Sequence, residues 1–433
     1  MFFQKDIETM KRKDIEALQL ERLKYTVKYC YDNVPFYRKR LSEAGVLPEK
    51  IKTLKDIRYI PYTTKTDIRD NYPYGLFAVP LEKIVRIHAS SGTTGKPTVV
   101  GYTKNDLNMW SDAVARIAAS VGVNSGDIAQ ISFGYGLFTG ALGLHCGLEK
   151  LGVAIVPISS GNTDKQLMVM QDFRTSVLIA NPSYALYLAE QMKAKGIDPK
   201  SLSLRIGMFG SEPSTLKMRD EIEANLGVFA TDNYGLSEVC GPGISGDCEF
   251  RDGQHIAEDY FLPEIIDGET GEVLEEGQEG EIVFTTLCKE GIPLLRYRTR
   301  DLSSLTYEPC KCGRTHVRMQ RVHSRSDDML KIRGVNVFPT QVESVLAEIP
   351  DVASHYRMIV TRDGYMDRLE ILVELVNASL LERYKELEAL HDRIKERLRS
   401  VLGLDVSVKL VEPNSIERCQ GKTKHVIDKR ENG

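Results

Sequence analysis

Apolar and polar positions change rhythm several times along this chain. Residues 5–45 have helical character with mixed charges, and an irregular Pro- and Tyr-rich stretch follows through Pro80. From 81 to 265, short apolar runs alternate with longer segments of helical spacing. Ile128–Phe133, Val153–Ile158, Val177–Ala180 and Leu204–Phe209 predict strands, and 104–121 and 214–226 predict helices between them. Thr103 and Asp106 form a capping pair for the first of those helices. Strands alternating with helices predict a layered α/β domain. Residues 262–322 hold many short strand-like runs broken by turns at Asp267-Gly268, Gly271, Gly277 and Gly280, which predicts a β-rich annex.

The pattern changes again near Ser326. Residues 327–433 predict a short strand pair, a helix, strands at 356–361 and 370–376, a long helix over about 379–402 and a strand at 405–411. In the long helix Leu380, Tyr384, Leu387, Leu390, Ile394 and Leu398 recur three and four apart, so one face is expected to be buried; Gly403 is a natural stop. The fold class is therefore α/β, with a large N-terminal domain over 1–325 and a small α+β C-terminal domain over 326–433.

Between two apolar alternating segments lies S-S-G-T-T-G-K-P, residues 90–97. Val85 and Ile87 alternate with Arg86 and His88 before it, and Val99 and Val100 follow, which predicts strand–loop–strand. Gly92 and Gly95 let the backbone turn its N–H groups toward one point. Ser90, Ser91, Thr93 and Thr94 add hydroxyl donors and Lys96 adds a positive charge. Such a loop is an anion cradle for a polyphosphate. It is not the phosphate loop of kinases and GTPases, because Ser90 stands where that pattern needs a glycine and Pro97 where it needs Ser or Thr. By itself the stretch also fits an ordinary Gly/Thr turn.

Further motifs narrow the choice: G-S-E-P at 210–213, D-N-Y-G-L-S-E at 232–238, Y-R-T-R-D-L at 297–302, R-S-D-D-M-L-K-I-R-G-V-N at 325–336 and Q-G-K at 420–422. With the opening loop, they make the chain resemble the adenylate-forming superfamily of acyl-CoA synthetases, adenylation domains and luciferases. F-G-Y-G-L-F-T-G at 133–140 and I-R-G-V-N-V-F-P-T-Q at 332–341 bring it nearer to the phenylacetate–CoA ligases. Each motif alone is common, whereas the ordered set is specific.

The resemblance implies an adenylate-forming N-terminal domain and a mobile C-terminal lid. ATP, with Mg²⁺, would activate an aryl acid as its acyl-adenylate, and coenzyme A would take the acyl group. Ser90, Ser91, Gly92, Thr93, Thr94, Gly95 and Lys96 would grip the phosphates, and Gly210, Ser211, Glu212, Pro213, Asn233 and Ser237 would line the nucleotide site. Asp232 fits an acceptor for the adenine amine, Tyr234 offers a flat face for the purine and Gly235 lets the backbone pass close. Glu238 supplies a hard oxygen for Mg²⁺. Asp301 would accept from both ribose hydroxyls; it also has Arg298 and Arg300 nearby for a purely structural pairing. Arg325 is placed near ribose and phosphate, Asp327 at the hinge, and Gly334 beside the thiol channel. Lys422 would reach the carboxylate and α-phosphate during adenylation. The acid pocket would be lined by Tyr135, Phe138, Gly241 and Pro242, although the two aromatics also fit a plain core role.

Cys310 and Cys312 form a tight thiol pair, and Cys248 and His255 stand upstream. Together they make a tetrahedral Cys₃His set for zinc, with His316 competing as the fourth ligand and simple packing of reduced thiols as the alternative. The resemblance does not require this set, so the site is read as structural.

The chain has 433 residues, 57 basic against 61 acidic, and a net charge of −4 without a long basic run; nucleic acid is a poor fit as a partner. No apolar stretch is long enough for a bilayer, and the N-terminal M-F-F-Q-K-D lacks a signal-peptide core. With eight cysteines in so long a chain, the expectation is a cytoplasmic enzyme with reduced thiols. A homodimer is implied by the likeness alone. No carrier-type serine motif follows Lys422, so free coenzyme A is the expected acceptor. Loading of a carrier thiol, a different acid such as indoleacetate or benzoate, and a nucleotide-binding protein without catalysis are the competing readings.

Overall fold

The computed structural model describes residues 1–90, 97–212, 214–322, 324–326, 330–332, 335–363, 366–417 and 425–430. Two compact units divide it: Met1–Ser211 with Glu221–Val322, and Glu212–Asp220 with His323–Gly433.

The larger unit is organised by a nine-stranded sheet. Its parallel part runs Ala154–Val156, Ile128–Ile131, Val177–Ala180, Ile206–Phe209 and Phe229–Leu236 in spatial order. Val177–Ala180 and Ile206–Phe209 are buried at every position, as continuous apolar runs in a covered parallel sheet must be. The sheet continues antiparallel through Gly241–Gly246, Gln254–Ile256, Arg318–Met319 and Leu305–Thr306. The expected annex is thus shared. Phe261–Ile266, Gly280–Thr286 and Tyr297–Ser303 pair with one another as a separate antiparallel meander, while 305–306 and 318–319 extend the main sheet.

The capping pair is present: Asp106 N–H donates to Thr103 Oγ1 at 3.1 Å and Thr103 N–H to Asp106 Oδ2 at 2.9 Å, opening the helix Lys104–Ser120. This helix packs on Gly140–Lys150 and on the strand Gly241–Gly246. Glycines permit the approach. A Cβ at Gly143 would lie 2.1 Å from the Trp110 ring, and one at Gly147 would lie 2.3 Å from Val114. Trp110 is anchored by its indole N–H, which donates to the Pro242 carbonyl at 2.6 Å.

The two strands predicted on either side of the loop are present as Arg86–Ala89 antiparallel to Val99–Tyr102. Its faces are the reverse of the apolar pattern. Val85 and Ile87 are exposed, whereas His88 is buried against the rings of Tyr102 and Trp110. Aromatic edge contacts there make a home for an imidazole that hydrophobicity alone would put outside.

In the smaller unit, the sheet order is Ser407–Val411, Met366–Leu375, Val352–Asp363, Val426–Asp428. The helices Pro339–Ala347 and Tyr384–Leu402 pack on each other and on this sheet. Leu390, Ile394 and Leu398 are buried as their spacing predicts, and Gly403 ends the helix at φ 68°. Two of the expected face positions differ. Leu380 belongs to a preceding 3₁₀ turn, Ala378–Glu382, and Tyr384 begins the helix in solvent.

Candidate active site

The motif residues of the larger unit gather where parallel strands end. Gly210 and Ser211 follow the strand Ile206–Phe209, the 133–140 segment follows Ile128–Ile131, and Asp232 to Gly235 lie within Phe229–Leu236. The carboxyl edge of such a sheet is the usual place for a ligand. Gly210 and Gly235 are required sterically: a Cβ on Gly210 would lie 2.7 Å from the Asn233 carbonyl, and one on Gly235 would lie 1.8 Å from that of Gly241. Ser211 takes φ 68° and donates from its hydroxyl to Asn181 Oδ1 at 3.0 Å. Asn233 donates through Nδ2 to the Phe209 carbonyl at 2.7 Å, tying the two motif strands together.

Tyr234 and Asp301 are joined directly, the phenol donating to Asp301 Oδ2 at 2.6 Å, and Phe284 lies under the tyrosine with ring centres 6.2 Å apart. Neither neighbouring arginine supplies a structural partner for Asp301. Arg298 pairs with Glu281 at 2.6 Å and Arg300 reaches the same carboxylate at 3.4 Å. The Asp232 carboxylate receives Arg321 Nε at 3.3 Å, a contact the sequence did not point to.

Glu238 is 5% exposed. Its Oε1 receives Thr98 Oγ1 at 3.3 Å and the Lys65 ammonium at 3.4 Å. Behind it, the buried Lys289 donates to the carbonyls of Glu238 at 3.1 Å and Val239 at 2.8 Å, with its ammonium 5.0 Å from the centre of the Tyr102 ring. Burial pushes the Lys289 ammonium below its ordinary value, against the pull of Cys240, Asp106 and Glu238. Lys65 and Lys289 have no motif spacing that would have singled them out; only the fold brings them to Glu238.

Ser90 N–H donates to the Thr98 carbonyl at 3.0 Å, and its hydroxyl bonds with that of Thr98, so the first residue of the loop is tied to the Glu238 neighbourhood. Ser91, Gly92, Thr93, Thr94, Gly95, Lys96, Pro213, Asp327, Gly334 and Lys422 lie outside the described residues. Glu212 and Arg325 belong to the smaller unit, Arg325 in the short strand Ser324–Arg325.

In the region expected to receive the acid, Ser237 and Thr139 share a 2.9 Å hydroxyl hydrogen bond, and Gly241 approaches Trp110 closely. Phe138 is 51% exposed and so is not a core aromatic. Tyr135 is half-buried. Its hydroxyl is hydrogen-bonded to His145 Nδ1 at 3.0 Å, and His145 Nε2 lies 3.2 Å from Glu149. Burial pushes the Tyr135 phenol well up, so it stays protonated.

The four predicted metal ligands converge. Nε2 or Sγ atoms of Cys248, His255, Cys310 and Cys312 all lie within 4.8 Å of one another. Cys248 Sγ is 3.7 Å from Cys310 Sγ, and Cys312 Sγ is 3.3 Å from His255 Nε2. His255 Nδ1 faces the His316 carbonyl at 3.3 Å, which leaves Nε2 for a metal. His316 is not the fourth ligand, because its nitrogens face the carbonyls of Ile256 at 2.9 Å and Ile7 at 3.0 Å. Three soft thiols and an imidazole at one point fit zinc.

Comparison with known proteins gives the family. The model of the AMP-binding enzyme family matches residues 7–288, and that of the AMP-binding enzyme C-terminal domain matches 334–430. The chain belongs to the AMP-binding enzyme family. Within it, the chain is 50% identical to the phenylacetate–coenzyme A ligase of Thermus thermophilus, covering 99% of this chain and 100% of that protein. It is 47% identical to the phenylacetate–coenzyme A ligase of Escherichia coli K12 over 98% and 97% of the two chains. Among solved structures, 2-hydroxyisobutyryl-CoA ligase in the postadenylation state with an acyl-AMP superposes with a TM-score of 0.92 at 29% identity, covering 99% of this chain and 92% of that one.

Proposed function

We propose that this protein joins phenylacetate, or a closely similar arylacetate, to coenzyme A at the expense of ATP, releasing AMP and pyrophosphate. The observation that carries the reading is likeness over nearly the full chain to phenylacetate–coenzyme A ligases, combined with the Tyr234–Asp301 and Glu238 geometry. In the first step a carboxylate oxygen of the acid attacks the α-phosphorus of ATP and the bond to pyrophosphate breaks. In the second, the thiol sulfur of coenzyme A attacks the acyl carbon, the thiol proton is released and AMP leaves.

Asp232 accepts from the adenine amine, Tyr234 stacks on the purine and Asp301 accepts from the ribose. Ser90 to Lys96 cradle the phosphates. Glu238 is the carboxylate that would hold Mg²⁺, with Lys65 and Thr98 restraining its Oε1. Arg325 and Lys422 are assigned to the phosphate and the developing charge, Asp327 to a hinge and Gly334 to the thiol channel. In this reading residues 1–325 bind ATP and acid, and 326–433 act as the mobile lid. Tyr135, Phe138, Gly241 and Pro242 form the acid pocket.

The Cys248–His255–Cys310–Cys312 set holds a structural zinc ion. A cytoplasmic homodimer completes the proposal. Among the described residues no helix is long and apolar enough to cross a membrane.

The test is coenzyme A-dependent AMP release across phenylacetate, indoleacetate, benzoate and short fatty acids. Preference for phenylacetate is the expected result. Pyrophosphate exchange with an acid but no AMP release on adding free coenzyme A points to a carrier thiol. Absence of exchange with every acid defeats the enzyme reading.

A further inference from the structure

Cys248 is the residue after Asp247, and Asp247 is clasped to Asp232 at two points. Asp247 N–H donates to the Asp232 carbonyl at 3.0 Å, and Asp247 Oδ2 accepts the Asp232 N–H at 2.8 Å. Asp247 is 1% exposed, and its own carbonyl accepts from the Ser120 hydroxyl at 2.6 Å. Its position is therefore set by the helix Lys104–Ser120 on one side and by whatever holds Cys248 on the other. Cys248 is held in part by its backbone, its carbonyl accepting from the Arg251 N–H at 3.0 Å and the next N–H, of Glu249, donating to the Ser120 carbonyl at 3.2 Å. Its thiol belongs to the cluster of four candidate metal ligands. The cluster's other ligands come from the strand Gln254–Ile256 and from the Cys310–Cys312 turn, and that turn is itself tied down by the chain's first residues. Arg314 pairs with Glu8 at 2.8 Å with both side chains buried, and Thr315 Oγ1 donates to the Met10 carbonyl at 2.6 Å.

We propose that the metal bound by Cys248, His255, Cys310 and Cys312 is a positioning ion for nucleotide binding, acting through Asp247 on Asp232. The inference rests on the zinc assignment and on Asp232 as the adenine acceptor. The physical route is short. A bound ion replaces mutual thiol packing with fixed metal–ligand bonds, Cys248 is held, and its neighbour cannot slide along the Asp232 backbone. A displaced Asp232 misaims the carboxylate at the adenine amine. The acid pocket, built on the 133–140 segment and Gly241-Pro242, takes part in neither the Asp247–Asp232 nor the Ser120–Asp247 hydrogen bond, although Gly241-Pro242 begin the strand Gly241–Gly246 that leads into Asp247.

The experiment compares metal-loaded full-length protein with the same protein stripped by a chelator. It reads zinc per chain, calorimetric affinity for AMP, and affinity for phenylacetate. Stripping is expected to weaken AMP by about 10-fold, with phenylacetate changed less than about 2-fold and zinc restoring both. Equal AMP affinity in the two forms overturns the proposal. Well under one zinc per chain, with no uptake of added zinc, defeats the zinc assignment itself. The Asp247→Ala variant supplies the second arm. It should keep its zinc, lose AMP affinity by a similar factor, and lose no more when stripped, because both changes break one route. Additive losses, or loaded Asp247→Ala binding AMP like the parent, overturn the proposal even where the stripped parent unfolds.

Discussion

The Tyr234 hydroxyl donates a 2.6 Å hydrogen bond to Asp301 Oδ2. Two residues 67 positions apart are thereby joined, and the bond holds Asp301 Oδ2 in place. Asp301→Ala should weaken ATP by about 10- to 100-fold, the range for a charge-assisted hydrogen bond of ~1.5–3 kcal/mol. It should also erase discrimination between ATP and 2′-deoxy-ATP. Steady-state KM values for both nucleotides check this. A variant that still prefers ATP by the parental factor removes Asp301 from the ribose.

Lys289 is a buried cation whose hydrogen bonds go to the Glu238 and Val239 carbonyls. Lys289→Met leaves two buried acceptors without donors, each worth about 1–3 kcal/mol. The expected outcome is a lower melting temperature together with a higher Mg²⁺ requirement in pyrophosphate exchange, since the turn carrying Glu238 loosens. Destabilisation with an unchanged Mg²⁺ titration would mean that Lys289 supports the fold and not the carboxylate.

Lys422→Ala should slow adenylation by about 10²–10³, the cost of one preorganised charge at the transition state. Thioester formation from supplied phenylacetyl-adenylate should survive. Rapid-quench measurement of the two half-reactions decides, and equal loss in both refutes the assignment.

Asp127, at the start of the central parallel strands, would be pushed up by burial. Hydrogen bonds from Arg205, Ser176 and Asn124 outweigh that and hold its carboxyl below the ordinary value of 3.8. A depressed carboxylate stabilises the fold fully above its unfolded value, and the contribution is lost as pH falls through the folded one. The stability advantage of the parent over Asp127→Asn in urea titrations should be constant near neutrality and shrink between about pH 4 and pH 2. An advantage that grows on acidification contradicts the sign.

Local periodicity was enough for the parallel strands and the long C-terminal helix. Val177–Ala180 is a continuous apolar run, and Leu390, Ile394 and Leu398 follow a helical repeat, so burial on both faces or on one was already written in the spacing. The strand at Arg86–Ala89 misled because its inward residue is His88, held by aromatic edges contributed from positions 102 and 110. No local pattern reports such neighbours.

The order of short motifs determined the family and suggested the roles proposed for Asp232, Glu238 and Asp301, because residue type and sequence order are properties of the chain alone. Tertiary structure decided the rest: that Lys65, Thr98 and Lys289 meet at Glu238, that Asp301 is bonded by Tyr234 and not by its neighbouring arginines, and that His255 and not His316 faces the thiols. Each depends on which polar groups distant segments bring within reach, and that is settled only once those segments are packed together.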